Sequence, residues 1–171
     1  RGARRPTGSV NDMADFNHDV IILGAGPAGE VCAGRLADGG LRVAIVEEHL
    51  VGGECGFYAC IPSKSLLHPQ QALDEARRSP GAAEAVTGTL DVAAVLRHRD
   101  EMISDLDDSG QVPWLESKDI ALFRGHGRIA GERRVAVGDD VLTAERAIIV
   151  STGSSSRIPP IDGLAEAKPW T

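Results

Sequence analysis

The sequence predicts an α/β fold, a parallel sheet entered through a strand–helix–strand unit and followed by an antiparallel meander. Three observations carry this prediction. The run HDVIILG at 18–24 is continuously apolar and ends on glycine, which suits a strand covered on both faces. The six residues GAGPAG at 24–29 lie where that strand gives way to a helix. From Ile120 onward, short apolar stretches are cut by Gly131-Glu132 and Gly138-Asp139-Asp140, the texture of antiparallel strands joined by turns.

Pro27 starts the first helix, Val31, Cys32, Ala33 and Leu36 give it an apolar side, and Gly39-Gly40 stops it. RVAIVE at 42–47 is the second strand, and it completes a βαβ unit whose crossover is right-handed almost without exception. Ser63 to Arg78 reads as a helix that Pro69 bends or interrupts. Residues 79–88, rich in Pro, Gly, Ala and Thr, read as a surface loop. Asp91 caps a further long helix, with Val92, Val95, Leu96, Met102, Ile103 and Leu106 as a core-facing stripe and Arg97, Arg99, Asp100 and Glu101 toward water. Ala147 to Val150 closes the sheet as another buried strand.

Composition bounds the class. At 171 residues and 42% hydrophobic, the chain can build one ordinary core. A net charge of −7 argues against nucleic acid or an anionic membrane surface as partner, and no apolar run is long enough to span a bilayer. Three cysteines, with Cys32 isolated in the first helix, do not make a secreted disulfide framework, so a reducing cytoplasm is the expected compartment. The opening RGARRPTGSVND carries three Arg and no apolar core of a secretory signal. Residues 1–12 are therefore expected to be a disordered or non-native extension ahead of Met13.

GAGPAG fits G-x-G-x-x-G at a strand–helix junction. In that pattern Gly24 makes the tight turn, Gly26 lets a pyrophosphate approach the backbone, and Gly29 lets helix and strand pack closely, while the helix N-terminus attracts phosphate charge. Glu47 ends the second strand 23 residues after Gly24, where an acidic side chain can accept hydrogen bonds from an adenosine ribose.

The stretch GGECGFYACIPSK at 52–64 holds Cys55 and Cys60 with four residues between them. On a regular helix their Cα atoms would stand roughly 8 to 9 Å apart, whereas a disulfide takes about 4.4 to 6.8 Å. A bridge here needs a distorted turn, which Gly52, Gly53, Gly56 and Pro62 permit. Closing so short a loop removes only about 2 kcal/mol of unfolded-state entropy, so a bridge would be a poor staple and a better redox device. A zinc site drawing in His49 and His68, or two buried free thiols, are the alternatives; a thioredoxin-type C-x-x-C is absent.

A dinucleotide turn and a thiol pair within thirty residues, together with IIVSTGSSSRIPPIDG at 148–163, resemble the flavin-dependent pyridine nucleotide–disulfide oxidoreductases, the group of dihydrolipoamide dehydrogenase, glutathione reductase and mercuric reductase. The resemblance runs from Asp19 to the end of the chain. It implies a Rossmann-like FAD-binding domain, with Cys55 as the interchange thiol that attacks a substrate disulfide and Cys60 as the thiolate against the flavin. It implies that Lys64 approaches the reactive edge of the flavin, and that Gly24, Gly26, Gly29, Glu47, Gly53, Gly127, Thr152 and Gly153 line the FAD. His98 and His126 are expected to be surface or loop residues, and no metal is expected.

The implied function is electron transfer between NAD(P)H and a disulfide or dithiol substrate, most like dihydrolipoyl dehydrogenase, in a homodimer. Two departures matter. The family usually has Asn at the position of Phe57 and Gly at that of Ala59. Its pattern also continues into a nicotinamide-binding domain and a dimer-forming domain with a His–Glu pair. This chain ends at Trp170-Thr171, so residues 13–171 are expected to be the N-terminal part of the FAD-binding domain. The alternatives are a noncatalytic dinucleotide-binding remnant, or a Rossmann dehydrogenase that leaves the cysteine pair unused.

Overall fold

The computed structural model describes residues 17–169; the expected extension at 1–12, Met13 and the closing Trp170-Thr171 lie outside the described residues. Strand β1 (Asn17–Leu23) leads through helix α1 (Pro27–Asp38) to β2 (Val43–Glu47), parallel to β1 with Val20 opposite Val43. Helices α2 (Gly53–Phe57), α3 (Cys60–Arg78), α4 (Val92–Met102) and α5 (Val112–Ser117) follow. Strands β3 (Ala121–Arg124), β4 (Gly127–Gly131), β5 (Arg134–Val137) and β6 (Asp140–Val150) complete one six-stranded sheet in the order β3-β2-β1-β6-β5-β4.

Period-2 alternation in β1 and β2 divides the core into two clusters. Val20, Ile22, Val43 and Ile45 face α1 and α5, where they meet Ala33, Leu115 and Ile120. Ile21, Leu23, Ala44 and Val46 face the other way, onto Val135, Val137, Leu142 and Ala144 of the meander. Both faces of these strands are therefore dry, which is why they read as unbroken apolar runs. Truncating a fully buried side chain such as Ile22 or Ile45 to Ala costs about 2 to 5 kcal/mol.

Three expectations are corrected by the fold, and that for Pro69 is narrowed. β3 is not part of the meander: it pairs parallel to β2, Ala121 opposite Ala44, because the short helix α5, stapled by Leu115 and Trp114, returns the chain to the same end of the sheet. Pro69 lies inside α3 without interrupting it; its missing N–H deprives only the Ser65 carbonyl of a helical partner. The stripe on α4 is not core, since Val92, Leu96, Met102 and Leu106 are exposed and only Ile103 is buried. Val150, expected in a buried strand, is also exposed, because β5 accompanies β6 only from Asp140 to Thr143 and leaves the last residues paired on the β1 side alone. Asp91 does cap α4, its carboxylate accepting the Ala94 N–H at 3.0 Å. Among the described residues no helix is long and apolar enough to cross a membrane.

At the end of the sheet where β1 begins, Asp19 accepts the Arg42 N–H at 2.8 Å and the Arg42 Nε at 3.2 Å, with Arg146 Nε 3.3 Å away. These donors, the backbone N–H foremost, hold its carboxyl below the usual range. Because the folded value lies below the unfolded one, the stabilisation is complete above the ordinary carboxylate pKa and is lost as pH falls through the depressed value. Asp19→Asn is expected to lower Tm at pH 7, with the gap to wild type closing below about pH 4; thermal unfolding at the two pH values checks this.

Candidate functional site

The site is built where β1 and β2 end. Gly24, at φ +96°, turns the chain, and its N–H donates to the Val46 carbonyl at 2.8 Å. Ser151, just past β6, donates its N–H to the Leu23 carbonyl at 2.8 Å and reaches the Leu23 and Gly24 carbonyls with Oγ at 2.9 Å each. A Cβ on Gly29 would run into the Gly24 carbonyl, so α1 can pack this close only with glycine there. No side chain caps α1 at Gly26, which leaves its first-turn N–H groups and its positive dipole end for an anion.

Glu47 holds this turn in place. Its Oε2 accepts the Ala25 N–H at 2.7 Å and its Oε1 the His49 N–H at 2.8 Å, while the residue is only 9% exposed. Each carboxylate oxygen keeps acceptor capacity for a further donor, such as a ribose hydroxyl. Glu30, in the first turn of α1, escaped the sequence reading; its burial, and then the negative charge of Glu47, push its carboxyl up. The glycine cradle, the uncapped helix and the acidic acceptor fit the diphosphate and ribose of a dinucleotide.

The cysteine segment docks on that turn. The Gly52 N–H donates to the Ala25 carbonyl at 2.8 Å, and a Cβ on Gly53 would stand 2.8 Å from the Gly26 Cα. Gly52 and Gly53 both have positive φ, +113° and +57°, and from them α2 carries Cys55. The helix stops at Phe57, Tyr58 and Ala59 are non-helical, and α3 starts afresh at Cys60. This is the distorted turn that the spacing requires. The kink brings the two free thiols into a shared hydrogen bond, which pushes the Cys55 thiol up, with burial and the neighbouring Cys60 adding to it and the Lys64 charge opposing it. Cys60 opens α3, one turn from the exposed Lys64.

The remaining expected residues divide. The Thr152 Cα lies 3.1 Å from where a Cβ on Gly24 would sit, so this residue joins the turn, and Gly153 follows it in an exposed segment. Gly127 begins β4 against the Leu23 and Val46 side chains, where a Cβ would come within 2.7 and 3.0 Å, so core packing also demands a glycine there. His126 is exposed and pairs with Glu48 at 2.6 Å, which holds the Glu48 carboxyl down. Among the described residues no group of three or more His, Cys, Asp or Glu side chains is placed to hold a metal ion. Beside the cysteine segment, a cavity of about 390 Å³ opens between Phe57, Tyr58 and Pro62 on one wall and Arg99, Ile103 and Leu106 on the other.

A family model described as "Pyridine nucleotide-disulphide oxidoreductase" matches residues 18–169. The chain is 31% identical over 152 residues to a dihydrolipoyl dehydrogenase of Acholeplasma laidlawii, covering 88% of this chain and 45% of that protein. It is 33% identical over 157 residues to a glutathione reductase of Burkholderia cepacia, covering 88% and 33%, and 28% identical over 164 residues to a mercuric reductase of Bacillus cereus, covering 95% and 26%. The chain thus spans less than half the length of these relatives. Among solved structures it is similar to the Cu(II) complex of the HOCl-induced flavoprotein disulfide reductase RclA from Escherichia coli, with a TM-score of 0.68 at 25% identity over 86% of this chain and 30% of that one.

Two substitutions probe the site. Gly53→Ala forces a methyl against Gly26 from a left-handed residue, and is expected to lower dinucleotide retention by about tenfold or more, read from the cofactor absorbance of the purified protein. Glu30 is held higher in the fold than in the unfolded chain, so stability falls as pH rises through that raised value. Glu30→Gln is expected to remove this slope, as measured by denaturant unfolding at a series of pH values rising from the ordinary carboxylate range, about pH 4.

Proposed function

Since the chain belongs to the pyridine nucleotide-disulphide oxidoreductase family, whose members use FAD and NAD(P)H, we propose that it is the flavin-side, thiol-bearing part of an enzyme that exchanges electrons between NAD(P)H and a disulfide or dithiol substrate. One observation carries the proposal: Cys55 and Cys60, both free thiols, flank the kink between α2 and α3 on a segment docked directly against the dinucleotide-type turn. When bound, FAD would supply a two-electron relay between nicotinamide and sulfur. Gly24, Gly26, Gly29, Gly53, Gly127, Thr152 and Gly153 would line it, with Glu47 toward the ribose and Lys64 toward the reactive edge.

The chemistry assigned to the chain's own residues balances as follows. The reduced pair presents the Cys55 thiolate, which attacks one sulfur of a substrate disulfide; a Cys55–substrate bond forms and one substrate thiolate leaves. Cys60, as thiolate, then attacks the Cys55 sulfur, closing the Cys55–Cys60 disulfide and releasing the second substrate thiolate. Two electrons and two protons restore the pair. With a dithiol substrate the same steps run in reverse. Cys55 is the outer sulfur in this scheme, and because the thiolate is the nucleophile, a base that takes its proton would speed the attack.

Dihydrolipoyl dehydrogenase-like turnover is the first activity to assay, because a dithiol that closes into a ring matches a pair designed for intramolecular closure. Reduction of a thiophilic metal ion at the same two sulfurs is the second reading, favoured by the adjacency of the thiols and by the mercuric reductases among the relatives. The test is an anaerobic reductive titration of the full-length protein. Wild type is expected to take up two electron pairs, and Cys55→Ser and Cys60→Ser one each, with disulfide turnover falling by about a thousandfold or more. Equal electron uptake in all three proteins would overturn the proposal.

A further inference from the structure

We propose that Asp108 is a positioning residue for the Cys55–Cys60 pair, a role that rests on the disulfide-exchange reading of that pair. Asp108 Oδ2 accepts the Val51 N–H at 2.7 Å and Arg124 Nη1 at 2.6 Å, and the same Arg124 nitrogen donates to the His49 carbonyl at 3.0 Å. The Asp108 side chain is 13% exposed, and Val51, which leads directly into Gly52-Gly53 and α2, is completely buried. Residues 49–53 are thus gripped from three directions: by Arg124 at the end of β3, by the Ala25 carbonyl of the dinucleotide-type turn, and by Asp108.

The segment that delivers Asp108 is itself unusual. Ser104, Asp105 and Leu106 all lie in the left-handed region, with φ of 51°, 51° and 65°. Three such residues in succession, none a glycine, persist only where the surroundings over-determine them. Here Ile103 is buried on one side, and on the other Ser109 returns its N–H and Oγ to Asp107 at 2.9 Å. The left-handed run reverses the chain after α4 and brings Asp108 to Val51.

The consequence for the thiols is geometric. Cys60 rides on α3, which packs along α4, whereas Cys55 rides on the five-residue α2, whose root is the Val51–Gly53 segment. Releasing that root lets one sulfur move relative to the other, and disulfide closure is sensitive to such movement. Arg124 neutralises the Asp108 charge locally, so the substitution acts through position rather than through a field at sulfur.

The experiment equilibrates the full-length protein in glutathione redox buffers, quenches by alkylation, and reads the tryptic peptide 43–64, which carries both cysteines. Asp108→Ala is expected to lower the equilibrium constant for the Cys55–Cys60 bond at least about tenfold. Asp108→Asn, which keeps an oxygen for the Val51 N–H, is expected to restore most of that loss. Asp19→Ala, which removes the equivalent clamp on the Arg42 N–H at the opposite end of β2, should lower Tm without moving the thiol equilibrium. The role is overturned if Asp108→Ala matches wild type, or if Asp19→Ala shifts the equilibrium as far. Should Asp108→Ala not fold, Arg124→Gln is expected to shift the equilibrium in the same direction, and no shift there overturns the role. A wild type that forms no reversible bond would overturn the reading of the pair itself, and the role with it.

Discussion

A buried carboxylate at the end of β2 organises the working end of the molecule. Leaving Glu47 without partners in so dry a place would cost several kcal/mol, and charge-assisted bonds from two backbone N–H groups offset that cost. Those two groups belong to different segments: Ala25 lies in the glycine turn, and His49 opens the path to the cysteines. One side chain therefore fixes both segments at their roots. The close approach of Gly53 to Gly26 then follows from where the roots are held.

This arrangement couples two kinds of chemistry at short range. The uncapped N-terminus of α1 offers positive potential, while the thiol pair sits across the kink between α2 and α3. Neither feature is large, and both depend on backbone running close to backbone. Bulk enters outside that contact, in Phe57 and Tyr58, which wall the adjoining cavity.

Much of this was legible in the sequence because it rests on local rules. A glycine turn at a strand–helix junction, an acidic residue ending the next strand, and a cysteine spacing that no regular helix can bridge each carry their geometry in a few residues. The missed features depend on distant partners. Ser151 could be identified only from the long-range return of β6, and Asp108 only from a left-handed run that no composition signals. Helix α5 is too short to show a period, so β3 lost the cue that it follows a crossover. The α4 stripe has helical spacing, but periodicity shows that a face is apolar and cannot show what covers it. The core neighbours of Gly127, Leu23 and Val46, come from strands far away in the chain, so its packing too was invisible locally.

The pairing of β6 with β1 joins residues more than a hundred positions apart: the Ser151 hydroxyl bonds the Leu23 carbonyl across 128 residues of chain. Loop-closure entropy makes such contacts slow to form relative to the βαβ unit, whose strands meet after a short helix. During synthesis, β1, α1 and β2 can assemble while the meander is still unmade. The glycine turn remains without its Ser151 latch until the chain beyond position 151 has emerged. The geometry of the glycine turn is thereby tied to a contact across most of the chain, so the turn is complete only once β6 has paired with β1.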